Sequence, residues 1–361
     1  MSKNVAFCCL TVTVYLMALL EAALPADCAE GDLFQRWGVD QAVPVPALDA
    51  GRWYRAALGW VVAPDDCAAR QVAEEMEAAS RAFERHFGVV APAGAVIDVA
   101  HARHGAALKE AGAAWVLPWR FSETAAPTDA RGEAIRNQIR AQLASDGREP
   151  DPERVEVLVQ QTLARLGEPQ APKAPSLEPK AIRHEIAHLL FMHSIWPSTE
   201  ENRQYGGDAP DWLDEAAAVV AEGQRMTAVR REAFRALARN GRAIPMTRYL
   251  RMTHPVFGGA AFQERIAQAE RQAESSGAAV ASFSVPESDL GEASAFYAQT
   301  RGLIDYLIDR SGDERILATI TNALKGGQSL EQWLAEHGSE HGLPASIKGV
   351  EHGLLASVGA E

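Results

Sequence analysis

Pro179 and Pro197 bracket the segment that most constrains this chain. Ser176 suits the cap of a helix, Glu178 and Pro179 suit its first turn, and Pro197 forbids its smooth continuation. The spacing therefore predicts one helix ending near Ile195. Ile186, Ala187, Leu189 and Leu190 make that helix strongly apolar, which predicts burial. It also carries His184, Glu185 and His188. Three ionisable side chains are a costly choice for a buried helix unless something compensates them.

Their spacing supplies the compensation. Residues four apart on a helix lie ~40° apart in rotation and ~6 Å apart along the axis, so both imidazoles leave one face. Two neutral imidazole nitrogens suit Zn²⁺ and can provide two of its ligands. Glu185, rotated ~100° from His184, flanks that position, where a carboxylate can take a proton from water. A catalytic zinc wants a third protein ligand and one open position. Phe191 and Ser194 stand where a metzincin carries Gly and a third His, so that pattern fails. His193 falls nearly opposite His184 on the helix. A downstream carboxylate is the better third ligand. Trp212-Leu-Asp-Glu215 offers one at the start of the next helix, and Asp208 is a further possibility.

His184-Glu-Ile-Ala-His188 followed by Trp212-Leu-Asp-Glu215 resembles the gluzincin group of zinc metallopeptidases. The resemblance implies that Glu215 is the third zinc ligand and Glu185 the general base, with Ala216 in place of a usual Gly. Glu222, two turns further on, is the rival ligand if the register differs. The stretch Phe296-Tyr297 to Arg310 is similar to a late helix of the same group, which implies that the Tyr297 hydroxyl donates to the oxyanion. The chain departs from the group in two places. It has no Gly-x-Met-Glu-Asn segment, and Val219 stands four residues after Glu215, where the thermolysin branch has an acid.

Hydrophobic periodicity organises the remainder. Val72, Met76, Ala79 and Phe83 predict one buried face of a helix over Asp66–Phe87 stopped by Gly88. Strands are expected at 95–99 and 113–121, the second as a sheet edge able to pair with an extended peptide or to pack through Trp115 and Trp119. Beyond a Pro-rich connector at 168–179 the chain reads as almost wholly helical, with segments at 212–240, 259–276, 290–310, 313–325 and 329–337. The Arg run from Arg225 to Arg242 reads as a solvated helix face, and His101 with His104 lacks a third ligand nearby. The expected fold is α+β, predominantly helical and zincin-like. An upper lobe (27–195) holds a small sheet and the HExxH helix, a helical lower lobe (196–337) holds the third ligand, and 338–361 form a loosely attached tail.

Residues 1–26 have the layout of a secretory signal peptide: Lys3, an apolar run from Val5 to Leu20, then Glu21-Ala-Ala-Leu-Pro-Ala26. The run is shorter than the ~20 residues of a membrane span. A periplasmic or secreted protein is expected, the alternative being anchorage through an uncleaved N-terminus. Cys28 and Cys67 would then be the remaining cysteines, able to form one disulfide or to stay unpaired. With 35 Lys and Arg against 48 Asp and Glu, a formal charge of -13 disfavours nucleic acid as a partner. The expected function is zinc-dependent hydrolysis of a peptide or protein. The alternative is a non-catalytic protein binding a peptide or envelope component on the same fold.

Overall fold

The computed structural model describes residues 40–41, 52–63, 66–119, 121, 136, 139–140, 155–159, 179–198, 208–255 and 287–358. The N-terminal signal, Cys8, Cys9, Cys28, Ser176 and the helix expected at 259–276 lie outside them. The expected helices at 129–145 and 151–166 do so for the most part. Cys67 is disulfide-bonded.

Five short strands form a mixed sheet in chain order: β1 (Asp40–Gln41), β2 (Arg52–Ala56), β3 (Gly59–Ala63), β4 (Gly94–Asp98) and β5 (Val116–Trp119). β1, β2 and β3 pair antiparallel, whereas β3, β4 and β5 are parallel. The parallel step from β3 to β4 requires a crossover, which helix α1 (Asp66–Phe87) makes. Val72, Met76, Ala79 and Phe83 are all buried on it, as their spacing predicts. Gly88 ends it at φ +69, a left-handed conformation that favours glycine. A 3₁₀ turn (Val99–His104) and the short α2 (Gly105–Glu110) lead from β4 to β5. Trp115 and Trp119 are buried around β5, which ends the strand order among the described residues. Pro118 is tolerated there because an edge strand has no neighbour for a missing N–H.

The remaining α-helices among the described residues are α3 (Pro179–Ser194), α4 (Asp211–Ala221), α5 (Gln224–Arg239), α6 (Met246–Tyr249), α7 (Glu287–Ser311), α8 (Ile316–Lys325), α9 (Leu330–His337) and α10 (Ile347–Val358). Two expectations are corrected. The single helix over 212–240 is broken, because Glu222 takes an extended backbone (ψ 146) and Gly223 caps a new helix. Glycine supplies little helical preference at that point, and the break lets α5 turn back. The supposed loose tail contains α10, held by buried Val350, Leu354 and Val358 at helical spacing, with Gly342 at φ +68 making the turn before it.

The chain divides into two compact units, one comprising 1–119 with 179–361 and the other 120–178. An expected lobe boundary at 195–196 falls inside the first unit, where α3 packs directly on α4. In the second unit, residues 155–159 are helical, with Val155 and Val159 buried against Ile139 and Leu158.

Small side chains let the first unit's helices approach closely. Ala187 of α3 meets Ala218 and Ala221 of α4 and Ala82 of α1. Gly302 of α7 plays the same part against α5, since a Cβ there would lie 2.3 Å from the Phe234 ring. Gly302→Ala is therefore expected to cost about 1–3 kcal/mol by overpacking. A lowered urea midpoint with an unchanged m-value would be the signature, and an unchanged midpoint would refute it.

Candidate metal centre

α3 and α4 run side by side and present the three expected ligands to one point. The Nε2 atoms of His184 and His188 are 3.2 Å apart. Glu215 Oε1 is 3.5 Å from His184 Nε2, and Glu215 Oε2 is 3.7 Å from His188 Nε2. His184, His188 and Glu215 are all buried. Among the described residues they form the one His/Cys/Asp/Glu group of this kind able to hold a metal ion. Asp208 and Glu222 are not part of it.

Each imidazole is oriented from behind by a carboxylate. His184 Nδ1 donates to Glu222 Oε1 at 3.1 Å, and His188 Nδ1 lies 2.7 Å from Asp214 Oδ2. A carboxylate behind Nδ1 places the ring proton there and leaves the Nε2 lone pair facing inward. A metal ion placed between the two Nε2 atoms, 3.2 Å apart, would accept a lone pair from each. Both Glu215 oxygens are buried without a hydrogen-bond partner, a costly condition for a carboxylate.

A divalent cation would satisfy all three groups at once. Ligand atoms at ~2.0–2.1 Å from a tetrahedral zinc stand ~3.3–3.4 Å apart, close to the separations observed. Two imidazoles and a carboxylate are also the donor set of a zinc with an open position. The residues present fit the group.

The local electrostatics follow from burial and partner charges. Burial raises the Glu215 carboxyl to about 7 against the opposing pull of His184, His188 and Arg230. For His188 burial is the largest influence and acts downward. Asp214, helped by Glu215 and Glu185, outweighs it and lifts the imidazole to about 9. Burial likewise pushes Glu222 upward, but Arg230 and His184 outweigh it and hold that carboxyl at about 2. Tyr297 is driven well above the usual phenol range by burial, then by Glu215, so its hydroxyl remains a proton donor.

The other expected site residues are close by. Glu185 is half-buried on α3, and its charge is felt by both His188 and Tyr297. Tyr297, from α7, sets its ring edge-on to His184 with centroids 5.8 Å apart. Gln299, two residues on, ties α7 to the Ile244 backbone by accepting from its N–H and donating to its carbonyl. His193 is exposed, and Tyr306, nine residues beyond Tyr297 on α7, packs against Gly353. His101 and His104 stack 6.3 Å apart and join no metal-holding group.

Three neighbours have roles that the sequence reading did not give them. Asp214 was visible only as part of the Trp-Leu-Asp-Glu run. Arg230 belongs to the run expected to be a solvated face, but it is 9% exposed and paired with Glu222 at 2.8 Å. Its signal was its helical spacing from Phe234, the buried residue on the inward face of α5. His254 is buried, with Nε2 3.7 Å from Glu215 Oε2, its ring 5.2 Å from that of Tyr297 and its backbone N–H donating to Asp211 Oδ2. Burial holds its imidazole well below the ordinary range, and so neutral. It follows an irregular stretch after α6, where no periodicity points to it.

No family model, curated protein or solved structure matches this chain. The reading of the site therefore rests on the residues and distances above.

Proposed function

We propose that this protein is an exported, zinc-dependent peptidase of gluzincin type. The observation that carries the reading is the convergence of both HExxH imidazoles and the Glu215 carboxylate, with the half-buried Glu185 beside them. His184, His188 and Glu215 would hold the zinc. When bound, zinc supplies Lewis acidity, which polarises a carbonyl and eases deprotonation of water. Glu185 accepts the proton from the attacking water and can return it to the leaving amine. Tyr297, kept protonated by its burial, donates to the oxyanion that develops as the carbonyl carbon becomes tetrahedral. The small mixed sheet beside a helical majority supports a zincin-like arrangement, and the disulfide at Cys67 supports an oxidising compartment.

Metal analysis of the purified chain tests the reading. One zinc per chain is expected, together with cleavage of unfolded polypeptide that a chelator stops and added zinc restores. A chain without zinc, or cleavage indifferent to the chelator, would overturn it. Tyr297→Phe is expected to retain the metal, since neither ring is a ligand, while kcat falls about 10²–10³-fold. An unchanged kcat would remove Tyr297 from the mechanism.

A further inference from the structure

A buried chain of charge leads away from the metal centre. Arg230 grips the Glu222 carboxylate with Nε at 3.1 and 3.2 Å from its two oxygens and Nη2 at 2.8 Å from Oε1. The same Oε1 accepts from His184 Nδ1. The guanidinium carbon also sits over the Tyr297 ring, 4.3 Å from its centroid. Arg230 and Glu222 are both buried.

Such a pair is an expensive way to hold two helices together, because desolvating both ions offsets much of their attraction. Its geometry suits orientation better. Glu222 lies just beyond the end of α4, and its extended backbone turns it toward α3, seven residues after Glu215. Val219, at the four-residue position, could not serve. A lone Glu222 could rotate about its side-chain bonds or draw the His184 proton toward itself. The planar fork of an arginine pins both oxygens in place, and the tyrosine ring backs the fork.

We propose that Arg230 is a positioning residue of the metal centre, acting through Glu222 to hold His184 with Nε2 aimed at the metal. This rests on the metal-centre reading. Lysine cannot replace it, since an ammonium neither forks onto a carboxylate nor lies flat on a ring.

The test is the equilibrium Zn²⁺ affinity of the full chain, by chelator competition, for wild type, Glu222→Gln, Arg230→Lys and the double variant Glu222→Gln/Arg230→Met. Glu222→Gln and Arg230→Lys are each expected to weaken binding about 10–100-fold. In the double variant, which leaves no charge buried alone, the loss should equal that of Glu222→Gln, because the two residues act in series. Loading with Co²⁺ adds a spectroscopic check, an altered visible absorption in Arg230→Lys. Wild-type affinity in Arg230→Lys would overturn the role. So would a double variant at least tenfold weaker than Glu222→Gln, a comparison that holds even if Arg230→Lys fails to fold. A wild-type chain that binds no zinc sinks the metal-centre reading and this role together. Zinc bound by wild type and Arg230→Lys alike sinks this role alone.

Discussion

Glu185→Gln is expected to leave one zinc in the protein and lower peptide hydrolysis about 10²–10⁴-fold, the usual contribution of a positioned general base. That corresponds to roughly 3–5 kcal/mol of transition-state stabilisation. The amide matches the carboxylate in shape but cannot accept a proton. Glu185 is half-buried and is not one of the converging ligands, so neither metal content nor unfolding should change. Hydrolysis of a fluorogenic peptide library and zinc content, measured on one preparation, separate the two effects. A variant that cleaves as fast as wild type would refute the assigned mechanism.

His188→Ala is expected to act on the metal itself. It removes one of the three proposed ligands and leaves Asp214, 1% exposed, facing a cavity where an imidazole stood 2.7 Å away. Stoichiometric zinc should be lost on dialysis, and hydrolysis should disappear with it. Orphaning the buried carboxylate should add a stability loss of about 1–3 kcal/mol, seen in urea even when wild type and variant are compared metal-free. His188→Ala protein that retained a full zinc would exclude this residue from the ligand set.

His184, Glu185 and His188 were readable because helical spacing alone puts both imidazoles on one face, and Glu215 because it follows a recognisable run at a helix start. The buried face of α1 was equally plain from its period. The partners behind the ligands were not readable in the same way. Glu222 reaches His184 only because the helix breaks at Gly223, and that break also brings Arg230 back toward the centre. Periodicity alone runs one helix through this point and places Arg230 on a solvated face. His254 comes from irregular backbone anchored by Asp211, a tertiary contact without a local signature. The C-terminal helix has a weak amphipathic signal, because its three buried residues in twelve are interleaved with Gly and His.

The packing of α1 on α3 bears on how the chain reaches its final state. Phe87 of α1 stacks edge-on with Phe191 of α3, and Glu75 of α1 pairs with Arg183 of α3. These partners are separated by the whole 120–178 unit, so the first strands and α1 emerge from the ribosome well before the helix that completes their core. Until then Ala82 and Phe87 have no α3 to cover them. Such distant pairing favours slow folding and prolongs the exposure of apolar surface to aggregation. A chain built this way gains from being kept unfolded until its full length is available.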